Sequence, residues 1–245
     1  MNELIGREIG CGGFGVVYEN KVDKNLCIKV SNKKVSCRRW SNEYDKIHTF
    51  FNKIKNTELY KALKFVKIIV PFDFIESDGE CMMIMPRVYQ PEGSEISNWT
   101  IQAQLGLMSY SHVCNGRGHF IGIEQLKEWI DEKRLKAVAH ELGILMALIH
   151  FVGKNDAYDV ELYFGREKNS KKLMFYIADF DLSESYSSLD KKIIKRMAWT
   201  LQAVPYFPTS DSPPELLKEF KEGYTNLARA YGISDSVTGE ILADL

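Results

Sequence analysis

Three glycines at the spacing G-x-G-x-x-G, within Gly10-Cys11-Gly12-Gly13-Phe14-Gly15-Val16-Val17, are the residues of this 245-residue chain best suited to hold a phosphate. A turn with little side chain on it lets backbone N–H groups approach phosphate oxygens. The same letters serve dinucleotide folds on a strand-to-helix turn, with an acidic residue about 20 positions later. The residues after the turn separate the two cases. Val16-Val17-Tyr18 is β-branched and aromatic, Asn20–Asn25 is a polar turn, and Leu26-Cys27-Ile28-Lys29-Val30 is an apolar strand carrying one lysine. The order is strand, glycine turn, strand, turn, strand, and no helix fits behind the turn. An ordinary glycine-rich hairpin is the plainer alternative.

The elements that must position any partner for that turn lie far downstream. Leu162–Phe164 and Met174–Ile177 are short β-prone runs that would pair as a hairpin and deliver Asp179 at its end. A carboxylate there, beneath the glycine turn, is the hard oxygen ligand that magnesium on nucleotide phosphates requires. Trp40, Tyr44, Ile47, Phe51 and Ile54 recur every three or four residues, which predicts an amphipathic helix capped around Ser41. Glu43 falls in its first turns, where a carboxylate also simply suits a helix N-terminus. Val66–Ile75 is apolar, Ser77-Asp78-Gly79 is a hairpin turn, and Cys81–Met85 is a strand too apolar for an edge. Methionines in such a strand are by themselves plain core.

Residues 92–122 read as a long loop with one strand around Gln104–Tyr110, and no chemistry is assigned to them. His112, Cys114 and His119 lack a fourth ligand at a recognisable spacing. A helix is predicted from about Glu124 to His150, interrupted near Trp129 or Lys133 and ended by Gly153. Leu189–Ala203 and Pro214–Tyr231 are further amphipathic helices, joined through the rigid turn Pro205-Tyr206-Phe207-Pro208.

Composition bounds the class. Hydrophobic residues make up 45% and charged residues 27%, as in globular domains. A net charge of -1 advertises neither a nucleic-acid nor a membrane partner. The N-terminus has no signal-like apolar core, and no run reaches the roughly 18 to 20 apolar residues of a membrane span. Five scattered cysteines (Cys11, Cys27, Cys37, Cys81, Cys114) without a C-x-x-C pair predict reduced thiols and a cytoplasmic protein.

The glycine turn followed by Lys29 resembles the N-terminal lobe of protein kinases, whose third strand supplies a lysine to the ATP phosphates. Two further stretches continue the resemblance. Asp179-Phe180-Asp181 stands in place of Asp-Phe-Gly, and Asp156-x-x-x-x-Glu161 in place of Asp-x-x-x-x-Asn. The His-Arg pair that precedes a kinase's catalytic aspartate is replaced by Lys154-Asn155. A nearer likeness covers roughly residues 134–227: Asp159-Val160-Glu161, Asp179-Phe180-Asp181 and Pro205-Tyr206-Phe207-Pro208, with Phe220 and Tyr224, resemble a fungal family of uncharacterised kinase-fold proteins, often labelled zinc-finger-like.

The resemblance implies an α+β, two-lobed protein-kinase-like fold. Residues 1–88 would form a small antiparallel-sheet N-lobe and residues 89–245 a compact, shortened helical C-lobe. By the same resemblance, ATP would sit under Gly10, Gly12, Gly13, Gly15 and Val17. Lys29, paired with Glu43, would meet the phosphates, and Met85, Arg87 and Val88 would flank the adenine. Asp179 and Glu161 would hold magnesium. Asp156, or Asp159 one slipped residue pair away, would orient the attacking hydroxyl. With about sixty residues after Ser183 there is no room for a full peptide-substrate platform, which favours a small-molecule phosphate acceptor over a protein. The alternative is a pseudokinase that binds nucleotide or a protein partner without phosphoryl transfer.

Overall fold

A computed structural model of the chain describes residues 3–12, 14–32, 36–77, 79–94, 100–106, 119–203 and 205–245. Gly13 and most of the 92–122 segment, including His112 and Cys114, lie outside the described residues.

Strands β1 (Ile5–Cys11), β2 (Gly15–Asn20), β3 (Leu26–Ser31), β5 (Asp73–Ser77) and β6 (Glu80–Pro86) form one antiparallel sheet in the order β1-β2-β3-β6-β5. The β5–β6 hairpin closes with Ser77 opposite Glu80, and Gly79 takes the left-handed conformation (φ 75°) that such a two-residue turn requires. β6 lies between two neighbours with Cys81, Met82 and Met83 buried, which is why it carries so few polar residues. Helix α1 (Cys37–Ile54) crosses this sheet with Trp40, Glu43, Ile47, Phe50 and Ile54 buried. It begins before the expected cap at Ser41, with Ser36 at the N-cap position, because Trp40 belongs to its buried face.

A second, mixed sheet has the order β4-β10-β9-β7-β8, built from β4 (Val66–Ile68), β7 (Ile101–Ala103), β8 (His119–Ile121), β9 (Glu161–Gly165) and β10 (Met174–Ala178). β9 and β10 pair antiparallel with Leu162 opposite Ile177, as the sequence predicts. The apolar stretch 66–75 is divided at Pro71: β4 joins β10 in parallel and only β5 stays in the first sheet. A boundary at residue 88 therefore does not divide the sheets. Glu141 anchors β4 by accepting the N–H groups of Lys64 and Phe65 at 2.9 and 2.7 Å. Of the strand expected around Gln104–Tyr110, residues 104–106 are not strand and residues 107–110 lie outside the described residues; residues 101–103 form β7.

The helical layer follows the predicted periodicity. After a short α2 (Glu58–Ala62), α3 (Ile123–Leu126) is separated from α4 (Glu132–Ala147) by a break over residues 127–131, where Asp131 caps α4 by accepting the Arg134 N–H. A π-helical turn, Leu148–Val152, continues α4. Gly153 does not supply the left-handed cap expected of it; its φ is -64°, and Lys154 (φ 56°) makes the reversal instead. Gly153 is glycine because a Cβ would stand 2.6 Å from the Ile149 carbonyl oxygen. α5 (Lys191–Gln202) and α6 (Pro214–Ala230) match expectation, and a short α7 (Asp235–Leu242) is an addition to it. α4 and α6 approach closely through a glycine on each, since a Cβ on Gly143 would meet the Phe220 carbonyl oxygen at 2.1 Å and one on Gly223 the His140 oxygen at 2.3 Å. The α4 segment through Val152 is long and apolar enough to cross a membrane, yet 67% of that window is buried inside the fold.

The expectation of reduced cysteines is corrected. Cys37, at the start of α1, and Cys81, in β6, form a disulfide with Cα atoms 5.4 Å apart, although 44 positions separate them in sequence. Sequence spacing could not show this, because the crossing of α1 over β6 brings them together.

Candidate functional site

The loop between β1 and β2 roofs a cavity of about 410 Å³ that lies between the two sheets. Gly10 stands opposite Val17 and Cys11 opposite Val16, and the Gly12 N–H closes the turn on the Gly15 carbonyl oxygen at 2.8 Å. Gly10, Gly12, Gly15 and Val17 all line the cavity. The glycines differ in purpose. A Cβ on Gly12 would meet nothing within 4 Å, whereas one on Gly15 would stand 2.5 Å from the Val30 carbonyl oxygen and 2.9 Å from Trp40.

Below the roof, Lys29 is paired in the sheet with Val17 on one side and Met83 on the other. Its Nζ lies 3.0 Å from Asp179 Oδ1 and 3.9 Å from Glu43 Oε1. Residues 150 positions apart in sequence thus meet across the cavity. Burial pushes the Lys29 ammonium down, but the carboxylates of Asp179 and Glu43 outweigh it and hold it charged, above its usual value.

The far wall holds Met85, Pro86 and Val88, where the sequence places them. Arg87 is a correction. It turns away from the cavity, pairs with Glu19 at 2.9 Å and lies 4.3 Å over the Tyr89 ring. Period-2 alternation would put Arg87 on the face of Met85, but β6 ends at Pro86 and the Glu19 carboxylate on β2 holds the guanidinium outside the cavity.

The floor is acidic. Asp159, Glu161, Asp179 and Asp181 line it, with Glu161 and Ala178 opposite each other at the ends of β9 and β10. Asp159 (φ 65°) and Asp179 (φ 62°) both hold left-handed backbone that non-glycine residues rarely adopt. Such strain gathers where a side chain must be aimed. Asp156 is not among the cavity residues. It is fully buried, paired with Arg196, and its Oδ1 accepts the N–H groups of Tyr158 at 3.1 Å and Glu184 at 2.8 Å. Of the two aspartates left open by the sequence, the structure brings only Asp159 to the cavity.

Polar residues of the site missed by sequence reasoning include Gln102, Tyr163, Asp181 and Tyr206. Glu161 Oε2 accepts from Gln102 Nε2 at 2.8 Å and from the Tyr163 hydroxyl, and the Tyr206 hydroxyl donates to Gln102 Oε1 at 3.1 Å. Tyr163 was findable, since two residues along a strand share a face with Glu161. Gln102 lies in a segment without a readable pattern, and Tyr206 lies in a turn.

The charges do not balance. Burial, then the neighbouring Asp179, push Glu161 up to about 7. Glu43 is likewise raised to about 7, by burial and against the pull of Lys29. Asp159 and Asp181 are also raised, first by burial and then by adjacent carboxylates. Surplus negative charge in such a site is what a divalent cation relieves, and Asp179 and Glu161 both line the cavity. Among the described residues no group of three or more His, Cys, Asp or Glu side chains forms a ready-made metal cage, so a cation here would complete its shell with phosphate and water oxygens. That is how magnesium is commonly held, and the residues fit it.

Linkage sets the sign of the pH response. Glu43 and Glu161 ionise near 7 in the fold against an ordinary value of 4.5, so between those values the native state binds more protons and their contribution to stability falls as pH rises. The Tm of Glu161→Gln relative to the native chain should therefore climb from about pH 5 to about pH 7.5 and then level, as measured by thermal melts across that range. A flat difference would show that Glu161 does not titrate there.

No protein-family model matches the chain and no curated protein matches it, so function has to be read from the cavity itself.

Proposed function

We propose that the chain is an atypical phosphotransferase of protein-kinase-like fold that uses ATP with magnesium and passes phosphate to a small hydroxyl-bearing acceptor. The observation that carries this reading is the Lys29 ammonium, set between Asp179 and Glu43 beneath a bare-backbone glycine turn. The side-chain-free roof at Gly10 and Gly12 leaves room for phosphate oxygens, Lys29 supplies a fixed positive charge, and Met85, Pro86 and Val88 give the adenine an apolar slot. Asp179 and Glu161 would hold magnesium, which when bound neutralises phosphate charge. Asp159 is the carboxylate suited to orient the acceptor. As the acceptor oxygen bonds the terminal phosphorus and the bond to the bridging oxygen breaks, ADP leaves and the hydroxyl proton passes to Asp159. The raised proton affinity of Asp159 suits that step. Phosphoryl transfer asks mainly for positioning and charge, which this cavity supplies.

Use of ATP fits a cytoplasmic protein, and the Cys37–Cys81 disulfide counts against that placement. A second reading, nucleotide binding without transfer, is favoured by one contact: Glu161 Oε2 is already engaged by Gln102 and Tyr163.

MgATP near a hundredfold its Kd should raise the Tm by roughly 5–10 °C. Slow ATP turnover should accompany it and be lost in both Asp159→Asn and Asp179→Asn. A thermal shift without turnover selects the second reading, and no shift at millimolar MgATP rejects both.

A further inference from the structure

We propose that the Cys37–Cys81 disulfide is a thiol-exchange site, opened by a dithiol reductant, whose state sets the position of α1 and so of Glu43. The regulatory part of this rests on the nucleotide-site reading above, but the exchange chemistry does not.

The two sulfurs are unequal. Cys81 is wholly buried in β6, whereas Cys37 is partly exposed. An incoming thiolate therefore attacks Cys37 Sγ. The S–S bond breaks toward Cys81, whose sulfur, as the leaving thiolate, has the Ser31 hydroxyl 3.3 Å away as a donor. The reductant's second thiolate then attacks its own sulfur in the mixed disulfide and expels Cys37. That leaving group is also favoured. Cys37 is the first residue of an 18-residue helix with no acidic residue in its first turn, and Arg38 and Arg39 come directly after it. Helix N-termini and neighbouring cations stabilise a thiolate. In balance, the protein disulfide gains two electrons and two protons, and the dithiol becomes a cyclic disulfide.

What the bond holds is the start of α1. Ser36 occupies the N-cap position but its side chain makes no capping hydrogen bond, so the usual fastening is lacking. The C-terminal half of α1 is fixed by Ile47, Phe50 and Ile54 in the main core and by Lys53 Nζ on the Gly153 carbonyl oxygen at 3.2 Å, while the N-terminal half has buried Trp40 and Lys46 Nζ on the Phe180 carbonyl oxygen at 3.0 Å beside the disulfide. The N-terminal half carries the groups that reach the cavity: Glu43 toward Lys29, and Arg39, which pairs with Asp181 at 2.6 Å. The Glu43–Lys29 contact is already long at 3.9 Å. Release of Cys37 loosens the half of the helix on which that contact depends.

The test uses the full chain, oxidised and after dithiothreitol treatment. Thiol titration and a two-hydrogen mass gain should show the bond opening without denaturant. The reduced protein should melt roughly 5–10 °C lower, as expected for a closed loop of this size. Amide exchange should quicken over 37–46 and not over 47–54. MgATP affinity should weaken about tenfold. Cys37→Ser with Cys81→Ser should behave as the reduced chain and ignore dithiothreitol. A disulfide that resists the dithiol under native conditions, or reduction that leaves amide exchange in α1 unchanged, overturns the proposal. Quickened exchange with no nucleotide binding in either state keeps the exchange site and rejects the nucleotide reading instead.

Discussion

Lys29→Met should abolish the MgATP-dependent rise in Tm and cut turnover by about a hundredfold or more, the scale seen when one fixed donor to developing charge is removed. The ammonium is held charged by two carboxylates on opposite sides, and its place below the glycine turn is set by strand pairing with Val17 and Met83. Those constraints leave the charge preorganised for phosphate oxygens, so its loss is not made good by solvent. Stability without ligand should change far less. Glu43 already ionises only near 7, and without Lys29 it can keep its proton at neutral pH and stay buried as a neutral acid. Lys29→Arg should rescue little, because a planar guanidinium does not fit a gap closed by Asp179 at 3.0 Å on a side chain only 11% exposed. The check is a pair of melts, with and without MgATP, for each variant. A Met variant that keeps the full shift would mean the nucleotide, if bound, does not use this cavity.

The parts of this arrangement that could be read from the sequence are the local ones. Strand, glycine turn and strand at residues 5–20, the β9–β10 hairpin and the apolar stripe of α4 each repeat a period that only one kind of element satisfies. Lys29 and Asp179 were legible from the strands that carry them, whereas the roles of Glu43 and Glu161 came from the resemblance to protein kinases. What stayed hidden depends on contacts between distant segments. The Cys37–Cys81 bond comes from a helix crossing a strand, and the move of β4 into the second sheet comes from pairing with a strand over a hundred residues later. Arg87 lies among cavity residues in sequence, yet Glu19 on β2 draws it out. Gln102 and Tyr206 join Glu161 from segments whose own sequences carry no period at all.

Asp156 gives the sharpest separation between sequence and structure, because a catalytic carboxylate and a structural one fail in different ways. Its side chain is fully inaccessible, its partner Arg196 is 21% exposed, and the same carboxylate takes two backbone N–H groups, one from its own loop and one from the 180s segment. Arg196 also donates to the Leu182 carbonyl oxygen at 3.0 Å and lies 4.3 Å over the Tyr158 ring. Around this centre the loop turns through left-handed residues at Lys154, Ala157 and Asp159, conformations that persist only where surrounding contacts hold them. Asp156→Ala removes the buried carboxylate from the partly buried Arg196, leaves two backbone N–H groups without their acceptor and frees that loop, so it should cost about 3–5 kcal/mol and lower the Tm by roughly 6–15 °C. Arg196→Met should cost a comparable amount, and the double variant less than the sum, since each single change leaves the other group unpaired. Asp159→Asn should leave the melt nearly unchanged and remove turnover. A chain in which Asp156→Asn melts normally and is inactive, while Asp159→Asn still turns over ATP, would return the hydroxyl-orienting role to Asp156 and require its carboxylate to leave Arg196 when the acceptor binds.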